Sequence, residues 1–194
     1  MIPVSVVFLF LSLSLVDNSM TPSHPKAFGF FHDKQQQTTM LSYENNDLKF
    51  RISYPNTWER SVRINNEVLF IAPKEQDAVS NPAGLVIKAV PLEGKNVTLR
   101  SISSALTAEL KKEHKDFKLE STNPVSIDGQ RAIQTIFTAT DSKLQNRKAM
   151  QIATMNNENI FIFTYKASID KFSQFENPVK EMINSFKFMN TTAA

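Results

Sequence analysis

Ile160-Phe161-Ile162-Phe163-Thr164-Tyr165 puts apolar side chains on both sides of an extended backbone. Successive side chains of a strand point to opposite faces. Such a segment therefore needs cover above and below, which places it in the middle of a sheet rather than at a wet margin. Val68-Leu69-Phe70-Ile71-Ala72, stopped by Pro73, makes the same demand. A chain with two such strands must also supply the layers that cover them.

Two amphipathic helices are available for that purpose. Leu99, Ile102, Leu106 and Leu110 recur at spacings of three and four, with Thr98 placed to cap the first turn. Lys111, Lys112 and Lys115 fall at the other end, where positive charge complements the helix dipole. The run Lys111-Lys112-Glu113-His114-Lys115 reads as a solvated helix end, and His114 has no evident catalytic partner there. Near the C-terminus Val179, Met182, Ile183 and Phe186 mark a second helical face. Phe172 and Phe175 introduce it, Asn177 is its expected cap, and Pro178 is expected in the first turn.

The remaining pattern is antiparallel. In Asp47–Trp58, Leu48, Phe50, Ile52 and Tyr54 share one side of a strand, while Lys49, Arg51 and Ser53 share the other. Pro55 ends that strand, and Trp58 is expected to plug the end of a core. Met40–Tyr43 pairs with it as a hairpin through Glu44-Asn45-Asn46-Asp47. Further hairpins are expected around Asn65-Asn66-Glu67 and Asn156-Asn157-Glu158. Leu85–Val90 and Arg131–Thr140 read as strands, the latter entered from the Asp128-Gly129 turn. Phe117–Glu120 and Val125–Ile127 read as separate short extended pieces, Lys74–Gly84 as a polar loop and Ser142–Arg147 as a polar turn. The expected class is α+β, an α/β/α sandwich with a mainly antiparallel sheet and helices on both faces.

Ahead of this domain, Ile2–Val16 is apolar and uncharged. As a helix it would rise about 22 Å, short of the roughly 30 Å hydrocarbon core of a bilayer. Residues 1–20 therefore read as a secretory signal peptide, with an uncleaved N-terminal membrane anchor as the alternative. Residues 21–39, with Pro22, Pro25, Gly29 and three consecutive glutamines, read as a flexible linker. The domain spans 40–189 and a frayed tail 190–194. The expected location is extracytoplasmic, secreted or tethered to the outer face of the cytoplasmic membrane.

Several chemistries are excluded or disfavoured. The absence of cysteine removes disulfides, thiolate catalysis and cysteine-ligated metals. The 4 glycines form no phosphate-binding loop, and neither a G-x-S-x-G elbow nor H-E-x-x-H occurs. The formal charge of +3 is dispersed among both signs, which argues against nucleic acid. His24 and His32 lie in the linker, where solvated side chains are the ordinary case. Glu44 with Asp47, and Glu75 with Asp77, could bind calcium weakly, but without EF-hand spacing they read as solvated loop carboxylates. Asn96-Val97-Thr98 and Asn190-Thr191-Thr192 are glycosylation sequons. No catalytic residue, metal ligand or cofactor is assigned.

The segment Phe50-Arg-Ile-Ser-Tyr-Pro-Asn-Thr-Trp58 resembles the F-x-(I/F)-x-Y-P-x-x-W opening of PsbP-like domains. Phe70-Ile-Ala-Pro73, Asp128-Gly129-Gln-Arg-Ala132, Phe161–Tyr165 and Met182-Ile-Asn-Ser-Phe-Lys187 are similar to that family's later strand, hairpin and helix motifs, in the same order. The resemblance implies the α/β/α sandwich shared with a yeast Ran-binding import factor. The export signal, the linker and the absence of catalytic sets point to a non-enzymatic binding or assembly module whose partner is a protein or membrane complex. One alternative, carried by the resemblance, is a photosystem II extrinsic subunit linked to calcium. An enzyme using dispersed carboxylates is a second alternative, independent of the resemblance.

Overall fold

The computed structural model describes residues 39–63, 66–73, 82–114, 116–140 and 145–189. The expected signal peptide, residues 21–38 of the linker with their two histidines, the carboxylates Glu75 and Asp77 and the tail 190–194 lie outside the described residues.

Seven strands form the central antiparallel sheet, in the order β3-β4-β5-β9-β8-β7-β6. These are β3 (Glu59–Arg63), β4 (Glu67–Ile71), β5 (Gly84–Pro91), β6 (Lys118–Ile127), β7 (Gln130–Thr140), β8 (Asn146–Asn156) and β9 (Asn159–Ser168). The doubly apolar segment of β9 occupies the middle position, as its composition demands. A smaller antiparallel sheet joins β1 (Met40–Asn45), β2 (Phe50–Pro55) and β10 (Lys187–Phe188) in the order β1-β2-β10. Helix α1 (Leu99–Glu113) and helix α2 (Phe172–Ser185) complete the described elements.

The two faces of β9 meet different layers. Phe161, Phe163, Tyr165 and Ala167 turn toward α2 and the small sheet, in one core with Phe50, Ile52, Val179, Met182 and Phe186. Phe186 sits at the centre of it, with ring centroids 5.1 Å from Phe50, 4.8 Å from Phe163 and 4.9 Å from Phe188. Ile160 and Ile162 turn the other way and pack with Ala153 beneath Ile102 and Leu106 of α1. Leu110 continues that layer over Phe137, Ala139 and Ala149. The sheet is thus covered on both faces, and the fold is α+β as expected.

Three local readings are corrected. The two short pieces after α1 form one ten-residue strand, β6. Pro124 does not interrupt it because β6 is an edge strand, where a missing N–H costs no ladder bond. A bulge between Leu119 and Ser121 absorbs the irregularity. Helix α2 begins at Phe172, so Asn177 is not its cap and Pro178 lies inside it. The opening turn is held by packing instead: Phe172 is buried 4.7 Å from the Tyr165 ring, and Phe175 meets Trp58 at 6.0 Å. Finally, Arg147 belongs to β8 rather than to a polar turn, and its side chain is only 3% exposed.

The turns follow the sequence more directly. The Asn45 side-chain oxygen accepts from the Asp47 and Leu48 N–H groups at 3.1 and 2.8 Å, which closes the β1–β2 hairpin. Asp128 and Gly129 both take positive φ, 47° and 75°, as a two-residue hairpin turn requires.

Candidate functional site

Arg147 points to the face of the sheet covered by α1, because it lies two and four residues from Ala149 and Gln151 on the same side of β8. Lys166 lies on that face as well, in register with Ala149 across the β8–β9 pair. The two cations are therefore diagonal neighbours on adjacent strands. Thr164 stands next along β9, in register with Gln151, whose amide nitrogen is 3.4 Å from the Thr164 hydroxyl.

The last turn of α1 closes this region from above. Leu110 anchors the helix end on Phe137 and Ala149, and His114, the C-cap residue, donates its backbone N–H to the Leu110 carbonyl at 3.0 Å. The result is a cavity of about 20 Å³ lined by His114, Phe137, Ala139, Thr140, Arg147, Ala149, Thr164 and Lys166. Its lining contains two formal positive charges and no carboxylate. Arg147 also donates to the Pro82 carbonyl at 3.3 Å, which fixes its guanidinium against the neighbouring loop.

At the rim, the Thr140 hydroxyl donates to Asp116 and sits 3.0 Å from the Asn146 amide oxygen. The Thr140 hydrogen bonds hold the Asp116 carboxyl below the usual carboxylate range. The same sheet face continues away from the cavity to a cross-strand ion pair, Glu67 with Lys88 at 3.0 Å. Chemically, the space is walled almost wholly by apolar surface, although Arg147, Lys166, Thr140 and Thr164 contribute to its lining.

The sequence pointed to this place only in part. Lys111 and Lys112 are exposed, as a solvated helix end requires, whereas His114 is half-buried and lines the cavity. Arg147 was hidden by its polar surroundings. The alternation Arg147, Ala149, Gln151, Ala153 is the signal that identifies its face. Glu44 and Asp47 are exposed at the end of β1 and in the following turn. Among the described residues, no three or more His, Asp or Glu side chains gather as a metal site would need. No described helix is long and apolar enough to cross a membrane.

Comparison with known proteins places this geometry in a family. Solved structures with the same fold include cyanobacterial PsbP (CyanoP) from Synechocystis sp. PCC 6803. It has a TM-score of 0.59 at 13% identity, over 82% of this chain and 98% of that one. Protein PA94 of Pseudomonas aeruginosa matches with a TM-score of 0.59 at 15% identity, over 78% of this chain and 99% of that one. LpqN of Mycobacterium tuberculosis, described as involved in cell envelope biogenesis, gives 0.58 at 10% identity, over 81% and 94%. A search of curated proteins finds no sequence match. The PsbP-like protein family matches residues 22–188, from ahead of β1 through the final strand, so the chain belongs to the PsbP-like protein family.

Proposed function

We propose that this protein is an exported, non-enzymatic binding or assembly module that works outside the cytoplasmic membrane on a protein partner. Family membership supports the binding role in its coarse form. The apolar, uncharged run Ile2–Val16 supports export. The fold shared with LpqN, a protein of cell envelope biogenesis, is in keeping with that location. The observation that carries the reading is the match to the PsbP-like protein family across residues 22–188. The likeness to cyanobacterial PsbP, at 13% identity, carries the fold and not a photosystem role.

The test is cross-linking of the tagged full-length chain in intact cells, followed by mass spectrometry, with external protease added to a parallel sample. The expected outcome is digestion of the domain without cell lysis, and a recurrent envelope protein among the cross-linked products. Protection from external protease would overturn export, and cross-linking to no protein would overturn the assembly role.

A further inference from the structure

We infer that Asn96 is an N-glycosylation site, the acceptor of an oligosaccharide delivered by a lipid-linked diphosphate donor. The site rests on the export proposed above, because it needs a compartment where such donors are used. Three observations support it. First, Asn96-Val97-Thr98 has the acceptor spacing, with a residue other than proline between the asparagine and the hydroxyl. Second, Asn96 and Thr98 are both exposed, whereas Val97 between them packs against the core beneath α1. Thr98 is extended, with φ −108° and ψ 154°, as such alternation of sides requires. Third, the loop holds Asn96 clear of the sheet. Glu93 and Gly94 take positive φ, 51° and 73°, in the turn that leaves β5, and the Lys95 N–H donates to the Leu92 carbonyl at 2.9 Å to close it. Leu92 and Val97 pin this loop to the core on either side of the turn. A bulky saccharide on Asn96 therefore extends into water without displacing any packed side chain. The second sequon, at Asn190, lies outside the described residues.

The transfer balances without an oxidant or reductant. The Asn96 Nδ2 forms a bond to the anomeric carbon of the first sugar, and the bond from that carbon to the diphosphate oxygen breaks. The lipid diphosphate leaves with the electron pair, and one Nδ2 proton passes to a base of the transferase. Folding then closes the site. In the finished domain the Thr98 hydroxyl accepts from the Ser101 N–H at 3.1 Å and sits 3.2 Å from the Ser101 hydroxyl. The transferase reads that same hydroxyl. The saccharide is therefore added to the chain as it crosses the membrane, before α1 is capped.

The tagged full-length chain is purified from cells of its natural host and cut with a glutamate-specific protease. The fragment 94–109, which contains Asn96 and no other sequon, is analysed by mass spectrometry. It should carry a saccharide mass increment that fragmentation locates on Asn96. Asn96→Gln should lose the increment completely and keep the parent's urea midpoint, because the Thr98–Ser101 cap is untouched. Thr98→Ala should lose it as well, while Thr98→Ser retains it. The alanine variant also removes the cap, but a chain that folds less readily stays open to the transferase for longer, so lost folding alone would raise occupancy rather than abolish it. An unmodified fragment from the parent, or a saccharide that persists in Thr98→Ala, would overturn the inference. External protease on the same intact cells separates the two readings. An unmodified fragment from a digestible domain sinks the glycan site and spares export, whereas an unmodified fragment from a protected domain sinks both.

Discussion

Asp128 performs two tasks from one turn position. Its carboxylate pairs with Lys187 at 2.8 Å and accepts the Phe188 N–H at 2.9 Å, so the β6–β7 turn holds β10 in place. The hydrogen bond from Lys187 is the main reason its folded-state pKa lies below the ordinary value. A depressed carboxylate pKa adds stability above the unfolded-state value, about 3.9 for Asp. That contribution is lost as pH falls through the folded-state pKa. Asp128→Asn keeps the turn geometry and removes the charge. It should lower stability at pH 7 by about 1 kcal/mol, and its deficit against the parent should shrink as urea denaturation is repeated at falling pH. Tyr165 behaves in the opposite sense. Burial drives its phenol well above the normal tyrosine range, and its hydroxyl donates to the Phe172 carbonyl at 2.7 Å. Tyr165→Phe should cost about 1 kcal/mol. In alkaline absorbance titration the parent should keep one tyrosine un-ionised until it unfolds.

The helices differ in what defines them, and this decides how legible each was. Helix α1 carries its own boundary: the Thr98 hydroxyl accepts from the Ser101 N–H, and the Ser101 hydroxyl accepts from the Thr98 N–H, a reciprocal cap. Thr98→Ala should destabilise by about 1 kcal/mol in thermal or urea unfolding. Helix α2 has no side-chain cap at Lys171, and its first turn forms only because Phe172 and Phe175 find Tyr165 and Trp58 across the chain. That contact is tertiary, so Asn177-Pro178 looked like the start when it lies inside. Pro178 has no N–H for the Gln174 carbonyl, and its ring crowds that carbonyl in the preceding turn. Pro178→Ala should therefore stabilise the protein, by about 1 kcal/mol or more after the unfolded chain regains entropy, seen as a raised denaturation midpoint. Strands with periodic apolar faces, such as β2, β4 and β9, could be read directly. By contrast, the cavity depends on Arg147 and Lys166 from different strands meeting His114 from a helix end. No local pattern encodes that convergence.

At the scale of the molecule, both sheets share one core. Phe186 touches Phe50 of the small sheet and Phe163 of the large one, with Phe188 beside it. Phe186→Ala should cost about 3–5 kcal/mol. It should also leave Trp58 fluorescence and far-UV circular dichroism melting together, because β9 contributes side chains to the cores on both faces of the large sheet. The pairing of β2 with β10 has a consequence in time. Phe50 and Arg51 emerge early from the ribosome, yet their partners Phe188 and Lys187 are the last of the folded body to be made. Until those residues appear, the aromatic centre is incomplete and the nascent polypeptide stays short of its final compactness. Under the export proposed above, that delay keeps the cargo loose enough to pass a translocation pore, and locking follows once β10 has been made.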